Sequence, residues 1–105
     1  MELSNYRYLG RFLGLGDALG IKSSHMSPDD YYALSKEEKS LYTTQGLVKF
    51  QCQDVCQKLL QLSQGAGEPR SSFEIEEFKK GLREGMMMVN KGEYLMKLTL
   101  PTEYL

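Results

Sequence analysis

Ser35-Lys36-Glu37-Glu38-Lys39-Ser40-Leu41-Tyr42-Thr43-Thr44-Gln45-Gly46-Leu47-Val48-Lys49-Phe50-Gln51-Cys52-Gln53-Asp54-Val55-Cys56-Gln57-Lys58-Leu59-Leu60-Gln61-Leu62-Ser63 is the stretch on which the fold turns. It opens with a capping box, Ser35 followed three residues later by Glu38. Leu41, Val48, Val55 and Leu62 then fall seven apart, and Cys52 and Leu59 occupy the intermediate positions. Leu47, Phe50, Cys56 and Leu60 widen the stripe. That period predicts one long amphipathic helix over 36–63, with no proline until Pro69. Unbroken, it would be roughly 42 Å long. A domain of this size has a radius of gyration of about 13 Å. The helix must therefore bend, with Gly46 beside Thr43 and Thr44 as the expected place, or project toward a partner.

Outward from this stretch, shorter helices are expected. Ser4 caps a first helix over 4–20, with Tyr6, Leu9, Phe12, Leu13 and Leu19 at helical spacing. Gly10, Gly14, Gly16 and Gly20 interrupt it. Each interior glycine costs about 1 kcal/mol against alanine, so the helix either ends near Gly14 or depends on tertiary contacts. Residues 21–26 read as a polar linker. Ser27-Pro28-Asp29-Asp30 starts a short helix through Leu34, with a cap, a proline at its first position and two carboxylates at the positive end of its dipole.

Residues 64–70 are the clearest loop. Ser71 or Ser72 then caps a helix that begins with Glu74, Glu76 and Glu77 and continues with Lys79, Lys80 and Arg83. Gly81 and Gly85 weaken its end. Over about 86–100 the sequence allows two readings. Met86-Met87-Met88-Val89, Asn90-Lys91-Gly92 and the alternating Tyr94, Met96, Leu98 and Leu100 could form a short β-hairpin, or the helix could end at Asn90 or Gly92 and leave an extended strand. The expectation is a single mainly α domain over 1–105, a bundle of three to four helices around the long one.

Composition narrows the function classes. Apolar residues are 41% of the 105 and charged residues 26%, as in an ordinary globular domain. The net charge is −1 and the charges are evenly spread, so no basic block supports broad nucleic-acid binding. Cys52 and Cys56, the two cysteines, suit a reducing compartment. The N-terminus lacks the pattern of a signal peptide, and no apolar run approaches the ~20 residues of a membrane span. A cytoplasmic location is expected.

Catalytic and metal readings find little support. Cys52 and Cys56 share one helix face, but structural zinc needs four ligands and His25 lies far off in the linker. His25 has Ser23, Ser24, Ser27, Asp29 and Asp30 around it, all within one linker and cap, whereas a triad draws its members from separate elements. The glycines from Gly14 to Gly20 faintly resemble a dinucleotide loop, but the final spacing is one residue too long and no strand precedes it. Close helix packing over Gly10 and Gly14, or a tight turn, accounts for them better. No catalytic residue, metal site or cofactor is expected.

Two surface readings remain. The favoured one is a non-catalytic interaction module, an adaptor, inhibitor or regulatory subunit that docks a larger protein partner or a second copy of itself as a homodimer. Its expected contacts are Tyr31, Tyr32, Tyr42, Phe50, Met87 and Met88. Methionine offers adaptable contact area, and tyrosine is enriched in interface hot spots. Tyr31 and Tyr32 are adjacent, so one helix cannot turn both inward. The alternative is a small nucleic-acid-binding regulator. Tyr6-Arg7-Tyr8 with Arg11 interleaves aromatic and basic groups, and Lys79, Lys80 and Arg83 form a second cluster. Three glutamates at the start of that second helix oppose phosphate.

Overall fold

The computed structural model describes residues 3–90 and 97–104. Among them are five α-helices: α1 (Asn5–Ser24), α2 (Pro28–Tyr32), α3 (Lys36–Phe50), α4 (Gln53–Leu62) and α5 (Ser72–Met87). Two short strands follow, β1 (Val89–Asn90) and β2 (Lys97–Leu98), then a single 3-10 turn, Thr102–Tyr104. The mainly α bundle read from the sequence is the architecture found.

The helix starts follow the local chemistry. Ser4, Ser27, Ser35 and Ser71 each accept a hydrogen bond from the backbone N–H three residues on. Ser35 with Glu38 and Ser71 with Glu74 complete full capping boxes.

The long helix does not exist as one piece. It breaks at Gln51, whose φ of 55° places it in the left-handed region. The Gln51 N–H donates to the Val48 carbonyl at 3.3 Å and the Cys52 N–H to the Leu47 carbonyl at 3.0 Å, the paired bonds of a Schellman ending. The expected bend at Gly46 is thus corrected. Gly46 is buried inside α3 because α1 crosses it there, and a Cβ at this position would sit 2.8 Å from both the Leu19 Cβ and the Leu19 carbonyl oxygen. The break also resets the phase of the stripe. Leu41 and Val48, its first two heptad residues, are mostly exposed, and only Gly46 is fully buried in α3. The radius of gyration is 13.4 Å and the longest dimension 36 Å, shorter than the rod the unbroken helix would make.

These positions make a prediction. Gln51→Gly is expected to raise stability by roughly 1 kcal/mol, because glycine takes a left-handed φ without steric cost. Gly46→Ala is expected to lower it, despite alanine's higher helix propensity, because the methyl meets Leu19. Urea midpoints of the two variants check this. A stabilised Gly46→Ala chain would mean that Gly46 is a hinge after all.

The hub of the bundle is α1, which extends to Ser24 and is closed by His25 at φ 57°. The expected stop near Gly14 and the linker from Ile21 are therefore corrected. Tertiary contacts offset the helix cost of the glycines. Gly10 of α1 meets Gly81 of α5, Gly14 of α1 meets Leu82 and Gly85 of α5 meets Arg11, and the contacts advance in the same direction along both helices, so the two run parallel. A Cβ on any of the four would fall within 2.3 Å of a backbone oxygen of the other helix. Small residues let two backbones approach this closely. Farther along α1, Gly16 faces Thr43 and Gly20 receives the ring of Tyr31.

The fourth helix returns to the start of α1, where Asn5 Nδ2 donates to the Gln64 carbonyl at 2.7 Å. Leu15, Ala18 and Leu19 of α1, Cys52, Cys56 and Leu59 around α4, and Met88 and Val89 beyond α5 form the core. Of the two readings for 86–100, the hairpin pairing is present: Val89 faces Leu98 and Asn90 faces Lys97 in antiparallel register. The helix runs through Met87 first. Tyr94 and Met96, half of the expected alternation, lie outside the described residues.

Candidate functional site: an apolar groove and a buried arginine

Two adjoining cavities, of about 240 and 200 Å³, share Phe12, Leu47 and Cys56 and so form one groove between α1, α3 and α4. Its lips are Leu13, 41% exposed, and Leu60, 54% exposed. Gln53 and Gln57 line its α4 end, and Asp17, Lys36 and Lys39 its opposite end. Adjacent apolar residues on a helix produce this arrangement. In Phe12-Leu13 and Leu59-Leu60 one member of each pair packs inward while the other stands at the rim.

The Cys56 thiol at the floor is pushed up to about 12 by burial, with Cys52 nearby adding to the effect. It stays protonated and serves as a small apolar surface. Burial also raises the Asp17 carboxyl, while Lys39 and the Tyr32 hydroxyl pull it back. Lys39 Nζ lies 5.8 Å from the Tyr31 ring centre and 5.2 Å from that of Tyr32, a cation–π contact with both. Among the described residues no three His, Cys, Asp or Glu side chains meet in a way that could hold a metal ion. No described helix is long and apolar enough to cross a membrane.

The residues read from the sequence as partner contacts divide. Tyr31, 1% exposed, is a core residue that fills the space over Gly20, with its hydroxyl 3.3 Å from Thr43 Oγ1. Met88, 3% exposed, belongs to the core as well. Both are corrections: the short α2 turns Tyr31 onto α1, and the end of α5 turns Met88 inward. Tyr32 and Met87 are exposed, Met87 at 77%. Tyr42 and Phe50 are half-buried, Phe50 against the core.

The residues read as nucleic-acid contacts divide too. Arg7 Nε and Nη2 donate to Glu84 at 2.5 and 2.7 Å, and Arg7 Nη1 to Glu77 at 3.1 Å. Arg11, 6% exposed, donates from Nε to Glu84 at 3.1 Å, and from Nη1 to Glu103 and to the Tyr104 hydroxyl. Both arginines thus face carboxylates of the chain itself, which corrects their reading as free cations. The parallel approach of α1 and α5 places them there. Lys79 and Arg83 are exposed on α5, and Lys80 pairs with Glu76 at 3.5 Å.

The cluster has an acid signature. Arg7 first, then Arg11, hold the Glu84 carboxyl down to about 2 against its partial burial. A carboxyl depressed by folding stabilises the fold fully above its ordinary range near 4.3 and loses that contribution as pH falls toward 2. Unfolding midpoints measured from about pH 6 to pH 2 should therefore fall through that window. In Glu84→Gln the slope should be flatter and the neutral-pH midpoint lower. An unchanged slope would remove Glu84 from the account.

The chain matches no protein family model, no curated protein and no solved structure.

Proposed function

We propose that this protein is a non-catalytic interaction module of the cytoplasm whose groove receives one amphipathic helix of a larger protein partner. What supports the reading is one observation: an apolar trough, floored by Phe12, Leu47 and Cys56 and lipped by Leu13 and Leu60, lies open between three helices. Helix-in-groove recognition takes apolar anchors spaced over two turns, and a trough walled by helices suits them. The charge at one end narrows the partner. Lys36 and Lys39 stand there against the single carboxylate of Asp17, which favours an acidic residue flanking the partner's apolar stripe. The nucleic-acid reading loses ground because Arg7 and Arg11 are held by Glu77, Glu84 and Glu103.

Leu13→Glu and Leu60→Glu test the proposal. Both sites are rim positions, so folding should change by only about 0.5 kcal/mol. Capture from the native cell, read by mass spectrometry, should lose the same protein with either variant and retain it with Phe73→Glu, an exposed apolar residue elsewhere. With the captured partner purified, affinity should drop at least about tenfold in each rim variant. Equal capture by all three variants would overturn the reading.

A further inference from the structure

The outer face of α3 carries an apolar stripe that the bundle leaves open. Leu41 is 57% exposed and Val48 61%. They stand seven apart, about 20° from each other round the helix and about 140–160° from Thr43 and Gly46, which face α1. The stripe therefore points away from α1. Glu37, Glu38, Thr44, Gln45 and Lys49 around it are exposed as well. Leu41 and Val48 open the seven-residue repeat, the spacing at which one helix meets another, and neither the core nor the groove uses them.

Charge on α3 is sorted between its sides. At the N-terminal end Lys36 and Lys39 line the groove, whereas Glu37 and Glu38 stand clear of it beside the stripe. At the C-terminal end the same side carries Lys49, whose Nζ also lies 5.7 Å from the Phe50 ring centre. The face thus has acid at one end, base at the other and apolar residues between. It complements itself when a second copy lies antiparallel across it. A two-fold axis passing between Thr44 and Gln45 sets Leu41 against the partner's Val48, twice. Glu38, Gln45 and Lys49 share one flank of the stripe. The same axis brings Glu38 within about 3 Å, along the helix, of the level of the partner's Lys49. Gln45 meets its own copy there, and each amide offers both a donor and an acceptor. A parallel pair would instead set Glu38 on Glu38 and Lys49 on Lys49, like charge on like.

We infer that the chain pairs with a second copy through α3, antiparallel about a two-fold axis near Gln45, with Leu41 packed on the partner's Val48 and Glu38 beside the partner's Lys49. The contact spans two helical turns, so the pair is weak, with a dissociation constant on the order of 100 µM. Lys36, Lys39, Thr43 and Leu47, the groove's lining from α3, lie off the stripe. A dimer therefore carries two open grooves, and the inference stands whether or not they receive a helix.

Sedimentation velocity of the full chain from about 10 µM to about 1 mM tests it. The weight-average size should rise toward a dimer over that range. Leu41→Gln and Val48→Gln, at sites more than half exposed, should keep the fold and weaken the pair at least about tenfold. Phe73→Gln, on α5, should leave it unchanged. Lys49→Glu alone should be monomeric. So should Glu38→Lys, which keeps the Ser35 bond to the residue-38 N–H and so the start of α3. Mixed in equal amounts, these two chains should pair again, because each then meets the opposite charge. A chain that stays monomeric at about 1 mM would overturn the inference. So would a dimer that survives Leu41→Gln and Val48→Gln together, which would place the contact elsewhere. A mixture no more associated than its separate chains would overturn the antiparallel order, and the proposal with it.

Discussion

Gly81→Ala is expected to destabilise the fold by about 3 kcal/mol or more. The added Cβ would lie 2.2 Å from the Arg7 carbonyl oxygen and 2.9 Å from the Gly10 Cα. Ordinary contact begins near 3.4 Å, so the helices would have to separate by roughly 1 Å. Both obstacles are backbone, and no side chain can rotate away. Alanine's helix propensity returns about 1 kcal/mol, less than the clash removes. A domain of this length has about 5–15 kcal/mol of stability in total, so the loss is a large share of it. Gly14→Ala, aimed at the Leu82 carbonyl oxygen at 2.2 Å, should behave alike. Gly67→Ala is the control, because nothing lies within 4 Å of its Cβ position. Urea unfolding followed by circular dichroism measures all three. A neutral Gly81→Ala chain would mean that α1 and α5 do not meet over their glycines.

Arg11→Met is the second large effect. The substitution keeps much of the side chain's length and removes its charge. Glu84 retains Arg7, but Glu103 and the Tyr104 hydroxyl lose the group they receive. Removing one partner from a fully buried ion pair costs about 3–5 kcal/mol. Glu84 and Glu103 are partly open to water, which screens the loss, so about 2 kcal/mol is expected here. Burial works against the Arg11 charge, but bonds to Tyr104, Glu103 and Glu84 outweigh it and raise its pKa. Arg11 therefore stays charged wherever the protein folds. Combining Arg11→Met with Glu103→Gln should restore part of the loss, because the stranded carboxylate is then gone. Additive losses in that double variant would mean that the two residues do not interact.

Much of the helical layout was legible because it follows from local chemistry. Ser4, Ser27, Ser35 and Ser71 each start a helix, and the two capping boxes close as their spacing requires. The groups that only tertiary structure explains were harder to read. Gly46 looked like a hinge because glycine breaks isolated helices, yet its role is to admit α1. Gln51 gave no sign, since glutamine is an ordinary helix former and its left-handed φ follows from the turn into α4. The heptad from Leu41 failed because α3 meets α1 through Thr43 against Gly16 and Gly46 against Leu19, which leaves Leu41 and Val48 mostly exposed.

The groove was legible in part. The reasoning that one of Tyr31 and Tyr32 must face outward applies equally to Phe12-Leu13 and Leu59-Leu60, and there it marks the lips. For the tyrosine pair it selects Tyr32, since Tyr31 is the one buried. The arginine cluster was not legible. Arg7 and Arg11 lie more than 70 residues from Glu84, and only the parallel approach of two glycine-faced helices joins them.

The most direct test of the proposed groove is a backbone amide NMR titration of the full chain with the captured partner. The account predicts shifts concentrated at Phe12, Leu13, Leu47, Gln57 and Leu60, with the outer face of α5 unmoved. Shifts concentrated instead at Phe73, Lys79, Arg83 and Met87 would place the partner on that outer face and contradict it.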